Sequence, residues 1–216
     1  MDDIYTALSR LGVIPVIKLE DPDSAEQLGR ALIDGMLPIA EVTFRTASAA
    51  ESIKRLRKKV PELLVGAGTV LTLEQAKAAV EAGAQFAVTP GFNPRIVDYF
   101  RATGIPVIPG VNSPTQVEMG LEHGLQLLKF FPAEASGGTR MLKALFGPYS
   151  AVKFVPTGGI DAGNLPDYLR LPNVAACGGS WMVKEESIKQ GRYADIAAAC
   201  RLAVELAASC RDKVQP

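Results

Sequence analysis

A few residues in this sequence stand where folding alone explains them poorly. Lys129 lies inside LLKFF (127–131), with apolar neighbours on both sides. Side-chain alternation along an extended strand puts Leu127, Lys129 and Phe131 on one face, and Leu128 and Phe130 on the other. An ammonium is costly to bury, so such a site favours the free amine, the form that attacks a carbonyl carbon. The plainer readings are a lysine snorkelling from a strand end, or one paired with a carboxylate. Glu41, in IAEVTFRT (39–46), is a carboxylate inside another apolar run. It could pair with Lys129, act as a general base, or neutralise some other neighbour. His123, the only histidine, sits just before Gly124 at the end of a predicted helix. It reads as a helix C-terminal residue, so proton transfer falls to a carboxylate.

Arg45 and Thr69 stand at or just beyond the ends of apolar runs. Arg offers a two-pronged grip on a carboxylate, which Thr and nearby backbone N–H groups can supplement. An Arg opening a surface helix is the equally open alternative. PTGG (156–159) and CGGS (177–180) close the last two apolar runs. Paired glycines let backbone N–H groups approach an anion. SGG (136–138) reads as a turn. GAG (66–68) lacks the spacing of a dinucleotide fingerprint. KRLRKK (54–59) is a cationic run near a helix C-terminus, where it offsets the dipole. Lys18 ends the first run, and its type and spacing assign it no role.

The elements that must position these residues are legible as well. Eight short apolar runs start at 13, 38, 63, 86, 106, 127, 153 and 174, spanning VIPVIK (13–18) to VAACGGS (174–180). Each ends in or near Thr, Gly or Pro, as buried strands do. Amphipathic segments lie between them. Residues 21–35 place Ala25, Leu28, Leu32 and Ile33 on one face. Residues 72–83 open on Thr72 with Gln75 three positions on, a capping box, and close on Gly83. Residues 113–124 repeat the plan with Ser113, Pro114 and Gly124, and an Ala-rich helix spans 193–211. Nearly continuous apolar strands alternating with helices mean parallel pairing. An open doubly wound sheet competes with a closed barrel; eight evenly spaced strands favour a single (β/α)8 TIM barrel across 1–216, of the α/β class. Such barrels carry their chemistry at the strands' C-terminal ends and often hold phosphate after the last two strands.

Composition narrows the classes. Of 216 residues, 48% are hydrophobic, so disorder is excluded as a description of the chain. Its 23 basic and 23 acidic residues cancel, which leaves no basic excess for nucleic acid or an anionic membrane. Three cysteines without metal-type spacing (Cys177, Cys200, Cys210) fit a reducing cytoplasm and core positions. The N-terminus lacks a signal-peptide pattern, and no apolar run is long enough to span a membrane.

EVTFRT (41–46), GAGTV (66–70), TPG (89–91), KFFPAE (129–134), PTGG (156–159) and GGSW (178–181) occur in that order. From about residue 10 to 205 the chain thereby resembles the 2-keto-3-deoxy-6-phosphogluconate aldolases of the Entner–Doudoroff pathway, which also act on 4-hydroxy-2-oxoglutarate. The resemblance implies a cytoplasmic homotrimer of (β/α)8 barrels, with no metal or other cofactor. Its ligands would be a phosphorylated 2-keto-3-deoxy sugar acid and pyruvate. By motif position, Lys129 would form a Schiff base, Glu41 would be the general acid/base, and Arg45 with Thr69 would hold the substrate carboxylate. Pro90, Phe131 and Thr157 would line the pocket, and Gly158, Gly159, Gly179 and Ser180 would take the phosphate. Three alternatives remain at this point: the C4-epimeric galactonate-series aldolase, a phosphosugar isomerase or epimerase barrel, and a catalytically silent scaffold.

Overall fold

The computed structural model describes residues 4–211. After helix α1 (Ile4–Leu11), strand and helix alternate: β1 (Val13–Ile17), α2 (Ala25–Asp34), β2 (Ile39–Thr43), α3 (Ala49–Lys59), β3 (Leu64–Gly68), α4 (Leu73–Glu81), β4 (Phe86–Val88) and α5 (Pro94–Ala102). There follow β5 (Val107–Ile108), β6 (Gly110–Val111), α6 (Pro114–Glu122), β7 (Leu127–Phe130), α7 (Gly138–Phe146), β8 (Lys153–Pro156), α8 (Leu165–Leu169), β9 (Cys177–Gly179), α9 (Glu185–Lys189) and α10 (Tyr193–Arg211). Every strand pairing is parallel, in a six-stranded sheet ordered β5-β4-β3-β2-β1-β9 and a three-stranded sheet β6-β7-β8. All five residues of β2 are buried, as strands covered on both faces must be.

The expected eight strands thus register as nine in two sheets. The cause of the extra one is Pro109. The fifth predicted strand, 106–110, is interrupted there because proline has no N–H to give a ladder. Its carbonyl still accepts from the Lys129 N–H at 2.9 Å, so the chain passes from one sheet to the other at this residue. Gly110 follows because a Cβ there would lie 2.1 Å from the Pro90 carbonyl oxygen. The eighth predicted strand shortens to Cys177–Gly179, although Val174 keeps an isolated bridge to Phe154, and Thr157 one to Gly178.

Several helix ends follow the expected chemistry, with local corrections. Thr72 Oγ1 accepts from the Gln75 N–H, but the Gln75 side chain returns to the Leu71 N–H, one residue beyond the box. Gln116 does the same to the Asn112 N–H, while Ser113 makes no side-chain cap. Gly83 and Gly124 close their helices with φ of +86° and +70°. The segment 21–35 begins with a 3-10 turn at Pro22–Ser24 before α2, and Ile33 is only partly buried. Helix α1 carries no signal the strand count required and was not expected. Arg57, Lys58 and Lys59 occupy the last turn of α3, and all three cysteines are buried. Among the described residues no helix is long and apolar enough to cross a membrane.

Candidate active site

The polar residues gather at the C-terminal ends of the strands. β7 carries Lys129 into the interior, where the residue is only 4% exposed. Its Nζ lies 3.5 Å from Glu41 Oε1 on β2 and 5.2 Å from the centre of the Phe131 ring. Glu41 is itself 1% exposed, so each charge is the other's compensation in a medium that would not tolerate either alone. Room for the carboxylate comes from the neighbouring strand. A Cβ on Gly68 would stand 2.4 Å from Glu41 Oε1. Gly66 is needed for a different reason, since the Phe86 ring lies where its Cβ would be.

Two residues past β2, Arg45 is exposed, and its Nε donates to Thr43 Oγ1 at 3.1 Å. Among the described residues no carboxylate lies within ion-pair distance of its guanidinium. Thr69, just after β3, has φ +54°. A β-branched residue in this left-handed region carries real backbone strain, of the order of 1–3 kcal/mol. Such strain persists only where surrounding structure enforces it, and it turns the chain at the cavity wall.

The opposite wall is made of main chain. Gly158 and Gly159, after β8, have φ of +102° and +79°. Ser180 follows β9, and the Trp181 ring covers Gly179, occupying the place of a Cβ. Among the described residues the N–H groups of Gly159 and Ser180 enter no backbone hydrogen bond outside the strands, while the bridge of Thr157 to Gly178 holds Gly158 beside them. Open amides beside left-handed glycines form a cradle for an anion. A Cβ on Gly178 would stand 2.4 Å from Thr157 Oγ1, which ties the two loops together. Behind Gly159, the buried Tyr168 hydroxyl donates to Glu134. Burial, reinforced by that carboxylate, pushes the phenol's pKa upward, so Tyr168 remains a donor.

A cavity of about 250 Å³ opens between these walls. It is lined by Arg45, Thr69, Pro90, Lys129, Phe131, Thr157, Gly158, Gly159, Gly179 and Ser180, with Val16, Ile160 and Gly178. Every residue singled out from the sequence for binding therefore lines this one cavity. Glu41 is not in the lining; it reaches the space through Lys129. The residues that sequence reasoning missed are Thr43, Gly68 and Gly178, whose importance depends on strand register. A larger hollow of about 530 Å³ lies at the other end, by Ile4, Val107, Leu127 and Lys153. It is mostly apolar and brings no nucleophile together with a proton acceptor. His123 caps α6, with Nδ1 2.8 Å from the Met119 carbonyl oxygen. Lys18, at the mouth, is held by Glu20 at 2.7 Å and Glu185 at 3.1 Å.

Chemically, the arrangement brings a buried amine and carboxylate, a guanidinium and main-chain amides to one cavity. The sequence is matched over residues 4–199 by the family model "KDPG and KHG aldolase". It is 53% identical to the 2-dehydro-3-deoxy-phosphogluconate aldolase of Treponema pallidum, over 92% of this chain and 94% of that one. Identity to the KHG/KDPG aldolase of Escherichia coli K12 is 43%, over 89% and 91% of the two chains. A crystal structure of the KDPG aldolase of Legionella pneumophila, with pyruvate captured as a covalent carbinolamine, superposes with a TM-score of 0.89 at 42% identity. That match covers 93% of this chain and 98% of the other.

Proposed function

We propose a function that starts from kinship: the chain belongs to the KDPG and KHG aldolase family. It is a class I aldolase, a carbon–carbon lyase. Its substrate is 2-dehydro-3-deoxy-6-phosphogluconate, cleaved to pyruvate and D-glyceraldehyde 3-phosphate, and 4-hydroxy-2-oxoglutarate is a second substrate of the same site. The observation that carries this reading is the buried pair of Lys129 and Glu41, 3.5 Å apart, at a cavity lined by Arg45 on one side and by Gly158 and Gly159 on the other.

In the reaction, Glu41 takes a proton from the paired Lys129 ammonium, the freed amine adds to the C2 ketone, and that proton leaves with the carbinolamine hydroxyl as water, giving an iminium and the Glu41 carboxylate. The cationic iminium accepts the electron pair of the C3–C4 bond as that bond breaks. Glu41 takes the proton from the C4 hydroxyl, and the aldehyde departs. Glu41 then returns a proton to C3 of the enamine, and water adds to the resulting iminium to release pyruvate and the free amine. Arg45 and the Thr69 turn hold the carboxylate next to C2. The Gly158–Gly159 and Gly179–Ser180 amides hold the phosphate at the far end. Pro90, Phe131 and Thr157 shape the space between. A carbinolamine in the Legionella pneumophila relative supports this chemistry, because such an adduct forms only between an amine and a carbonyl.

Intact-protein mass after incubation with pyruvate and borohydride tests it. Wild type gains one reduced pyruvate and Lys129→Ala gains none. An unmodified wild type, or an adduct that survives in the variant, overturns the assignment. The kcat/KM ratio for the gluconate and galactonate epimers then tests C4 preference.

The same reading extends to assembly and architecture. The Phe154–Val174 and Thr157–Gly178 bridges, and the passage through Pro109, support closure of the two sheets into one (β/α)8 barrel forming one domain. Kinship supports a cytoplasmic homotrimer, which a sedimentation mass of three chains would bear out and a monomer mass would refute.

A further inference from the structure

Glu41, Thr43 and Arg45 alternate along β2 and its extension, so all three lean to the cavity side. The outer two have roles in the proposed reaction, and Thr43 between them has none. It is 0% exposed, deep for a hydroxyl. Its Oγ1 donates to the Ile17 carbonyl oxygen on β1 at 2.8 Å. A hydroxyl has one proton to give, so toward every other neighbour this oxygen can only accept. The donor it meets is the Arg45 Nε–H, at 3.1 Å.

This has a geometric consequence for the guanidinium. The group is planar, with five N–H bonds in a fixed fork. Once Nε is engaged by the protein, the side-on edge of the fork is spent. The remaining two-pronged edge is the one formed by Nη1 and Nη2. We propose that Thr43 is a positioning residue that sets Arg45 end-on to the substrate carboxylate. It thereby fixes affinity for the pyruvate half without touching the reacting atoms. Because Ile17 lies on the adjacent strand, β1 and β2 together hold the arginine in place. This inference rests on the carboxylate role of Arg45 proposed above.

Thr43→Val keeps the shape and β-branching but removes the acceptor, whereas Thr43→Ser keeps the oxygen. The readouts are KM and kcat for cleavage, and the pyruvate concentration at half-maximal borohydride trapping. In Thr43→Val, KM and the half-trapping concentration rise about tenfold, the scale of losing one hydrogen bond to a charged group, while kcat stays within about threefold. Thr43→Ser restores both to near wild type. In an Arg45→Lys background, Thr43→Val adds nothing further. Thr43→Ala, which also lacks the acceptor, serves if the valine variant does not fold.

An unchanged KM in Thr43→Val, or a serine variant as impaired as the valine one, overturns the inference. Equal loss in kcat and in affinity does so too, since that is the mark of a general structural role. The underlying reading fails separately: if Arg45→Lys alone leaves KM unchanged, Arg45 does not bind the carboxylate.

Discussion

On the β2–β3 side of the Lys129 amine, the polar groups are side chains: Glu41, Thr43, Arg45 and Thr69. On the β8–β9 side, beside the Thr157 hydroxyl, they are main-chain groups around Gly158, Gly159 and Ser180, with the glycine side chains reduced to hydrogen. The first wall places charge at the end of rotatable bonds and so needs supports, such as the hydroxyl under Arg45 and the vacant Cβ position at Gly68. The second wall places partial charge on the backbone itself, where loop conformation is the only support. A side-chain wall is altered by changing one functional group. A backbone wall changes only when its φ angles or its close approaches change.

The greatest contrast between the walls lies in Glu41→Gln. General acid–base assistance is typically worth about 10²–10⁴-fold, so kcat falls by that factor while borohydride still traps pyruvate. Full turnover in this variant would show that Glu41 is not the proton carrier. The main-chain wall responds differently. Gly158→Ala forces a Cβ onto a residue with φ +102°. Strain of this kind costs about 1–3 kcal/mol, so KM for the phosphorylated substrate rises by roughly tenfold or more. Pyruvate trapping stays unchanged, because in the proposed reaction only the phosphate is held by that wall. Equal weakening of both ligands would erase the proposed division of labour. Salt gives the smallest effect. Raising ionic strength from about 0.01 M to 1 M shortens the screening length from about 30 Å to 3 Å. Half-maximal trapping by pyruvate should then require about two to three times more ligand, through the exposed Arg45. No shift at all would mean that Arg45 holds the carboxylate out of reach of solvent.

The two walls also differed in how far they could be read from sequence. Lys129 and Glu41 stood out because a charge inside an apolar strand needs a partner, and here each proved to be the other's. The PTGG and CGGS loops stood out as a pair. Thr43 did not, since threonine is an ordinary strand residue until register brings Ile17 and Arg45 to its hydroxyl. Gly68 passed as part of a strand ending for the same reason. Periodicity placed the eight apolar runs and the helices 72–83 and 113–124 to within a few residues. Pro109, whose missing N–H breaks the fifth strand, was legible in the sequence; the close approach of the Pro90 carbonyl to Gly110, a contact between distant segments, was not. Nor could periodicity tell that two glutamines would reach past their helix caps, because both targets satisfy the same donor rule.

The Trp181 ring that covers Gly179 is the side chain of the only tryptophan in the chain. The protein therefore carries its own optical reporter, seated against the backbone wall and remote in chemistry from the amine. Indole emission shifts with the polarity and charge around the ring, so inorganic phosphate settling onto the neighbouring amides would be visible in unlabelled protein. The filling of one wall could be followed by light while the other is followed by mass.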